Sequence, residues 1–428
     1  MFSYFRDIVD NRHRHAQDLK ERKGKKIIGY MCSYVPEEII YAAGGIPIRL
    51  FTNEEPPSLA DNFMQNYYCT FARSILHQGL GQQFSYMDGL VTAYSCTTMR
   101  LAFDNLQKYA GFKYTKFLYM PGVIDTPESK DYYHKELKRF KLDMQDLFDR
   151  TISDDDLREA IHVYDENRSL ILKIFEGRKE NPPTITGEEA YLLTLSSMLT
   201  DKAQHSKMLK KLIDELPKRK PLKSGINRLM IVGSPLDNLK LLRLIEQDIG
   251  AWVVTDDTCT GTRYIWGNTP SDYISEDPLK AVVERYMISR PPCPTKHSPT
   301  RWVQCRNCPF RTVPCFFLAP SPKKKALAKP NPFQTPERIC RFRHALQIGI
   351  NHKVEGVIAL TQKFCDPHGF DYHHVVQSFE DVGIPSVFVE VDNIVSIGQT
   401  LTRIEAFVEM IQPVDYMIKE EIKDAIKL

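Results

Sequence analysis

At 428 residues the chain is too long for one small core, and length alone suggests about two to three domains. Its 57 lysines and arginines nearly balance 54 aspartates and glutamates, so the net charge of +3 gives no argument for nucleic acid, and no apolar run approaches the roughly 20 residues of a membrane span. The start, MFSYFRDIVDNRHRHAQDLKERKGKK, is amphipathic and charged rather than a signal peptide; a cytoplasmic location is expected, and ten cysteines then point to metal or redox chemistry rather than a disulfide framework.

After a leading helix, residues 1–128 alternate strand and helix. KKIIGYM reads as a strand and VPEEIIYAAGG as a helix, with Pro36 in its first turn, Glu37 and Glu38 at the positive end of its dipole, and Gly44 and Gly45 as its stop. The strand IPIRLF, the helix TFARSILHQGL, the strand DGLVTAYS, the helix TTMRLAFDNLQKYAG and the strand TKFLYMPG follow. Such alternation predicts a parallel sheet with helices on both faces. Residues 129–222 are a helical segment and basic linker: three stretches repeat apolar residues at three and four, and Thr186 with Glu189 forms a capping-box pattern before the last. Residues 223–428 return to alternation: strand NRLMIVG, helix PLDNLKLLRLIEQDIG with Pro235 in its first turn, strand AWVVTDD, strand VEGVIALT, helix FDYHHVVQSFEDVG, strand IPSVFVEV and a last helix GQTLTRIEAFVEMIQ. A stretch rich in proline, lysine and cysteine at about 302–337 interrupts this second α/β unit.

The cysteines recur in one kind of place. Cys32 follows the first strand, Cys96 follows LVTAYS, Cys259 follows AWVVTDD, Cys365 follows EGVIALT, and Cys69 stands directly before a predicted helix. One such cysteine would be an ordinary small buried residue. Four are more than that, because the carboxyl ends of parallel strands form the ligand crevice and helix amino termini there stabilise thiolates. Cysteines from two sheets can therefore face one cleft. Their spacing is not that of a ferredoxin. Cys305, Cys308 and Cys315 lie in the insertion, and with Cys340 they would supply the four ligands of a structural zinc or a further 4Fe–4S cluster; spacing does not separate the two. His368, His373 and His374 follow Cys365; one could donate a proton, whereas His373 and His374 read first as helix-surface residues. Ser95, Arg100 and Arg263 adjoin cysteine motifs and could bond cluster sulfides or an anion, or serve in structural ion pairs. GSPLDN at Gly233 is not a nucleotide fingerprint, and no ATP site is evident.

The motifs GYMCSYVPEEIIYAAGGIPIRL, NYYCTFARSIL, AYSCTTMRLAFDNL, DDTCTGTRY, KFCDPHGFDY and GQTLTRIEAFVEM resemble, in order and over nearly the whole chain, the 2-hydroxyacyl-CoA dehydratase and benzoyl-CoA reductase family. The resemblance implies two flavodoxin-like α/β domains plus helices. It also implies an oxygen-sensitive iron–sulfur protein, fed low-potential electrons by an ATP-hydrolysing iron–sulfur activator, that acts on a small-molecule substrate. Matched motif by motif, the cluster cysteines would be Cys69, Cys96 and Cys365. The family also contains single-chain double-cubane (8Fe-9S) proteins, which need about six cysteines; Cys32, Cys259 and Cys293 would complete that set, although they also resemble residues of single-cubane (4Fe-4S) relatives. Ser95 and His368 are the candidate catalytic residues, and a homodimer is expected, without nucleic acid or membrane as partner. Three readings follow. The first is a reductase with a double-cubane cluster. The second is a subunit of a 2-hydroxyacyl-CoA dehydratase, in which a single cubane gives an electron to the thioester carbonyl and the ketyl radical expels the neighbouring hydroxyl as water. The third, of another class, is a zinc-stapled scaffold or electron carrier.

Overall fold

The computed structural model describes residues 1–296, 341–392 and 397–411. Two four-stranded sheets organise the chain, and every strand pair in both is parallel. The first holds β1 (Ile27–Tyr30), β2 (Ile46–Arg49), β3 (Gly89–Ala93) and β4 (Thr115–Leu118) in the order β2-β1-β3-β4. The second holds β5 (Arg228–Gly233), β6 (Trp252–Asp257), β7 (Gly356–Gln362) and β8 (Ser386–Val391) in the order β6-β5-β7-β8. The two orders are the same, and both sheets are flavodoxin-like. LVTAYS and VEGVIALT therefore lie in different sheets. The inner strands β1, β3, β5 and β7 are buried along their whole length, as helices on both faces require, whereas β4 and β8, at the edges, are half-exposed.

Between the sheets the chain forms helices Pro127–Phe148, Asp154–Glu176, Gly187–Ser197 and Lys202–Glu215. Each start is built from a polar cap. Thr126 accepts from the Ser129 N–H ahead of Pro127, and Ser153 with Asp156 and Thr186 with Glu189 close reciprocal capping boxes. The third helical stretch of the sequence is two helices. Its apolar period runs on through SSMLTD, but Asp201 accepts the Gln204 N–H at 2.9 Å and starts a new helix there. Pro235 likewise lies ahead of its helix, which begins at Leu239 with Asn238 as cap and ends in a π-turn over Ile245–Ile249. The helical segment is not a separate body. Its Gly187 helix packs beside β6, and one hydrophobic core joins Ile27 and Leu90 of the first sheet, Leu193 and Leu195 of that helix, and Leu229, Val253 and Ile358 of the second sheet. Among the described residues no helix is long and apolar enough to cross a membrane.

Burial holds several imidazoles neutral. It pushes His205 well below the ordinary histidine pKa, His344 down to about 4 and His352 down to about 3. Between those values and about 6.5 the unfolded chain binds protons that the folded chain does not, so this stability is complete above the unfolded value and is lost as the pH falls. Each ring contributes roughly 1.4 kcal/mol per pH unit across its window. The urea-unfolding midpoint is expected to fall steeply on going from pH 7 to pH 5; a midpoint that stays level would contradict the assignment.

Candidate metal centre

Each sheet reverses its strand order between two neighbours, β1 and β3 in the first and β5 and β7 in the second. At such a reversal the connecting segments leave on opposite faces, and a crevice opens at the carboxyl edge. The chain places chemistry at both. Cys32 comes just after β1, Cys96 just after β3, Ser234 directly after β5 and Cys365 just after β7; Cys259 follows β6. Cys69, Cys96 and Cys365 are the N-caps of helices Thr70–Leu80, Thr97–Tyr109 and Asp366–Glu380. No side-chain hydrogen bond closes these caps, but the backbone N–H of Ala72, Met99 and His368, three residues on in each case, favours the thiolate form of each sulfur.

These cysteines meet. Cys69, on the side of the first sheet, and Cys365, on the side of the second, lie close enough that each thiol shifts the other's titration. Cys96 lies within electrostatic reach of Cys69 and Cys365 on one side and of Cys32 and Cys293 on the other, and Cys32 lies within reach of Cys259 and Cys293. All six are free; Cys69 is buried and the rest are half-buried. The neighbouring thiol lowers Cys365, whereas the same neighbour together with burial keeps Cys69 well above the ordinary thiol value. Burial pushes Cys96 up to about 12 and raises Cys32. Burial thus keeps Cys32, Cys69 and Cys96 protonated, so binding a metal through them would release protons. Among the described residues no three or more His, Cys, Asp or Glu side chains converge closely enough for a single metal ion. A polynuclear iron–sulfur cluster makes a different demand: its thiolates spread around several irons. An all-cysteine donor set at a buried junction, three of its members on helix N-termini, fits such a cluster.

The loops that carry the second set are held from below. Asp256, fully buried at the end of β6, accepts the Thr258 N–H at 3.1 Å, the Thr262 N–H at 2.8 Å and the Thr262 hydroxyl at 2.9 Å, so the segment bearing Cys259 wraps its carboxylate. The Tyr191 hydroxyl, from the helical segment, bonds Thr258 at 2.9 Å. Arg49, at the end of β2, crosses from the first sheet: its guanidinium donates to the Cys259 carbonyl at 2.7 Å and to the Cys259 sulfur at 3.4 Å. The Cys293 N–H donates to the Tyr34 hydroxyl at 2.9 Å, and the Arg290 guanidinium lies over the Tyr34 ring and donates to the Ser33 hydroxyl at 3.0 Å. Lys296 donates to the carbonyls of Tyr94, Met120 and Pro121 at 2.8, 3.3 and 3.2 Å. Burial lowers its ammonium to about 8, and Cys32 and Cys293 pull it back up.

The other candidates have distinct places. Arg263 is buried, paired with Asp257 at 3.3 Å and donating to the Gly233 carbonyl at 2.7 Å; Asp257 also pairs with Arg341 at 3.3 Å, so this arginine belongs to a structural ion network with Cys259 and Cys293 nearby. Arg100 turns away from the cysteines. Asp104 fixes it at 2.8 Å, its guanidinium lies 4.1 Å above the Phe117 ring, and it lines an open pocket of about 470 Å³ with Tyr94, Tyr119, Ser129 and Tyr132. Ser95 is half-buried on the loop before Cys96. His368 is buried in the first turn of the Cys365 helix, and burial plus the charges of Arg263 and Arg341 hold it well below the ordinary histidine value, so its imidazole is neutral. His373 is exposed, and His374 packs against Phe342. Cys305, Cys308, Cys315 and Cys340 lie outside the described residues. Sequence reasoning missed Ser234, Arg49, Asp256 and Lys296. The first two carried a signal: Ser234 follows a strand as the cysteines do, and Arg49 is a charge inside the otherwise apolar IPIRLF.

The chain matches the family model described as 2-hydroxyglutaryl-CoA dehydratase, D-component, over residues 32–306 and 323–411, which contain all six of these cysteines. It is similar to the (R)-phenyllactyl-CoA dehydratase beta subunit of Clostridium sporogenes, 24% identical over 95% of this chain and 98% of that protein. It is similar also to one of the benzoyl-CoA reductase subunits of Thauera aromatica, 29% identical over 56% of this chain and 63% of that protein. The (R)-2-hydroxyglutaryl-CoA dehydratase beta subunit of Acidaminococcus fermentans is 22% identical over 90% of this chain and 93% of its own length.

Proposed function

We infer the function from kinship first: the chain belongs to the 2-hydroxyglutaryl-CoA dehydratase D-component family and is an enzyme component of the dehydratase and reductase type, which works with an activator partner. We propose, more finely, an iron–sulfur reductase that takes low-potential electrons from an ATP-hydrolysing iron–sulfur activator and reduces a small-molecule substrate. In this reading Cys69, Cys96 and Cys365 hold one cubane of a double-cubane cluster, and Cys32, Cys259 and Cys293 hold the other. The observation that carries it is the meeting of six free cysteines from both lobes at the carboxyl edges of the two sheets. When bound, the cluster supplies single low-potential electrons. The chain's part is to bury it, to fix its thiolates on helix N-termini and to limit the access of water.

A second reading, the subunit of a 2-hydroxyacyl-CoA dehydratase with one 4Fe–4S cluster, is favoured by the names of the relatives, two of which are beta subunits of such dehydratases. There Cys32, Cys259 and Cys293 would be free thiols lining the same crevice. Cys305, Cys308, Cys315 and Cys340 belong to the proposal as ligands of a separate zinc or 4Fe–4S cluster. Ser95 is carried as a proton-handling candidate beside Cys96; His368, held neutral, could act only as a hydrogen-bond partner or a base. A homodimer and a cytoplasmic location complete the reading.

Purification without oxygen, followed by iron, acid-labile sulfide and zinc analysis, tests it. Measured on a Cys305→Ser/Cys308→Ser variant, so that iron in the insertion is not counted, about eight irons per chain supports the double cubane, and about four supports the dehydratase subunit. Zinc without iron would overturn both in favour of a stapled scaffold.

A further inference from the structure

Among the described residues, two buried cations in the cleft have no carboxylate in ion-pair contact, and Asp237 acts on one of them, Arg49, only from farther off. Arg49 is 2% exposed and Lys296 is 5% exposed. Arg49 reaches the Met198 sulfur, the Cys259 carbonyl and the Cys259 sulfur, and its Nε has no hydrogen-bond partner. Lys296 reaches three backbone carbonyls. Among the described residues no carboxylate lies within ion-pair distance of either. Arg263 and Arg341, buried nearby, differ: both pair with Asp257, and Arg341 pairs also with Asp371. Arg290 also lacks a carboxylate in ion-pair contact, but its guanidinium is held by Ser33 over the Tyr34 ring, a ring that Lys296 shares at 5.4 Å. A charge taken out of water without a counter-charge costs several kcal/mol, so unbalanced buried cations are rare unless a bound anion completes them. Arg49 and Lys296 face the same group. Arg49 touches Cys259; the Lys296 N–H bonds the Cys293 carbonyl at 2.9 Å, and its ammonium is anchored at Tyr94, two residues before Cys96. The Cys69, Cys96 and Cys365 set is served instead by helix N-termini, which carry only partial charges.

We propose that Arg49 and Lys296 are positioning residues that supply the counter-charge for an anionic metal–thiolate centre on Cys32, Cys259 and Cys293. The inference rests on the reading of the cleft as an iron–sulfur site and deepens it. It makes the second cysteine set a loaded one, since three neutral thiols would leave both cations unbalanced. It also makes the two sides of the site inequivalent. An electron from a one-electron, low-potential iron–sulfur donor raises the negative charge by one, and the side flanked by two full positive charges stabilises that added charge more. With a centre bound, Arg49 and Lys296 would favour the added electron on the Cys259 side.

The test uses the full chain purified without oxygen. Arg49→Met and Lys296→Met are each compared with wild type by iron content and by an EPR-monitored potential titration. Each is expected either to lower the affinity for the first electron about tenfold, a shift of about 59 mV for a one-electron couple, or to lose the iron of one cubane while keeping the other. Arg49→Lys, which keeps the charge, is expected to stay near the wild-type potential, and Arg22→Met, an exposed surface change, to have no effect. Full iron with an unshifted potential in both methionine variants overturns the inference, as does an Arg49→Lys variant that behaves like Arg49→Met. Wild-type protein that carries no iron overturns instead the reading of the cleft on which it rests.

Discussion

Cys69→Ser, Cys96→Ser and Cys365→Ser are each expected to strip iron from the protein while leaving the metal-free fold as stable as before, or more so. The two halves of this result have separate causes. A serine hydroxyl does not ionise near neutral pH, so it cannot replace a thiolate on iron. Each of the three cysteines is also a helix N-cap that makes no side-chain capping bond. Serine is among the best residues for that position, where a good cap is worth about 0.5–2 kcal/mol. Loss of iron with an unchanged or raised urea midpoint in the metal-free form separates a ligand role from a packing role. Unchanged iron in all three variants would sink the assignment.

Gly261→Ala is the second large effect. A Cβ at this position would stand 2.1 Å from one oxygen of the Asp256 carboxylate and 2.6 Å from its carbon. The carboxylate has nowhere to go, because the N–H groups of Thr258 and Thr262 and the Thr262 hydroxyl already hold it in a fully buried site. Overpacking of this kind costs about 1–3 kcal/mol, and relief by moving the loop would carry Cys259 away from Arg49. The expected result is a lower urea midpoint together with loss of iron from the Cys32, Cys259 and Cys293 set. Wild-type stability and full iron in this variant would show that the loop bends freely and that Asp256 does not set its shape.

Much of this molecule could be read before any coordinates. The eight strands are short apolar runs bounded by turn residues, and the capping box at Thr186 is a local pattern, so both are written in neighbouring residues. So is the placing of cysteines after strands, since a parallel sheet fixes which strand ends share an edge. What was not legible depends on residues far apart in the chain. Arg49 meets Cys259 across two sheets, and Ser234 meets Cys365 only because β5 lies beside β7. The break at Asp201 was hidden because the apolar period continues through it, and the π-turns at Ile245–Ile249 and Arg285–Ser289 leave no mark on that period. The short helices of 262–284 were overlooked for a similar reason: none is long enough to show a repeat.

Cys69 lies against Cys365 across the two sheets' sides of the site, and the contact of Arg49 with Cys259 joins those sides again. A group held by both walls is therefore a staple, and its occupancy is linked to closure by mass action: whatever binds only the closed form shifts the chain toward it. The staple would also remove the strain of two like charges buried in the same seam. Air that destroys the group would remove a brace as well as an electron carrier. The hydrophobic core that runs through both sheets would still hold the chain together, so the loss would be felt locally, as a looser seam around the cysteines rather than as unfolding.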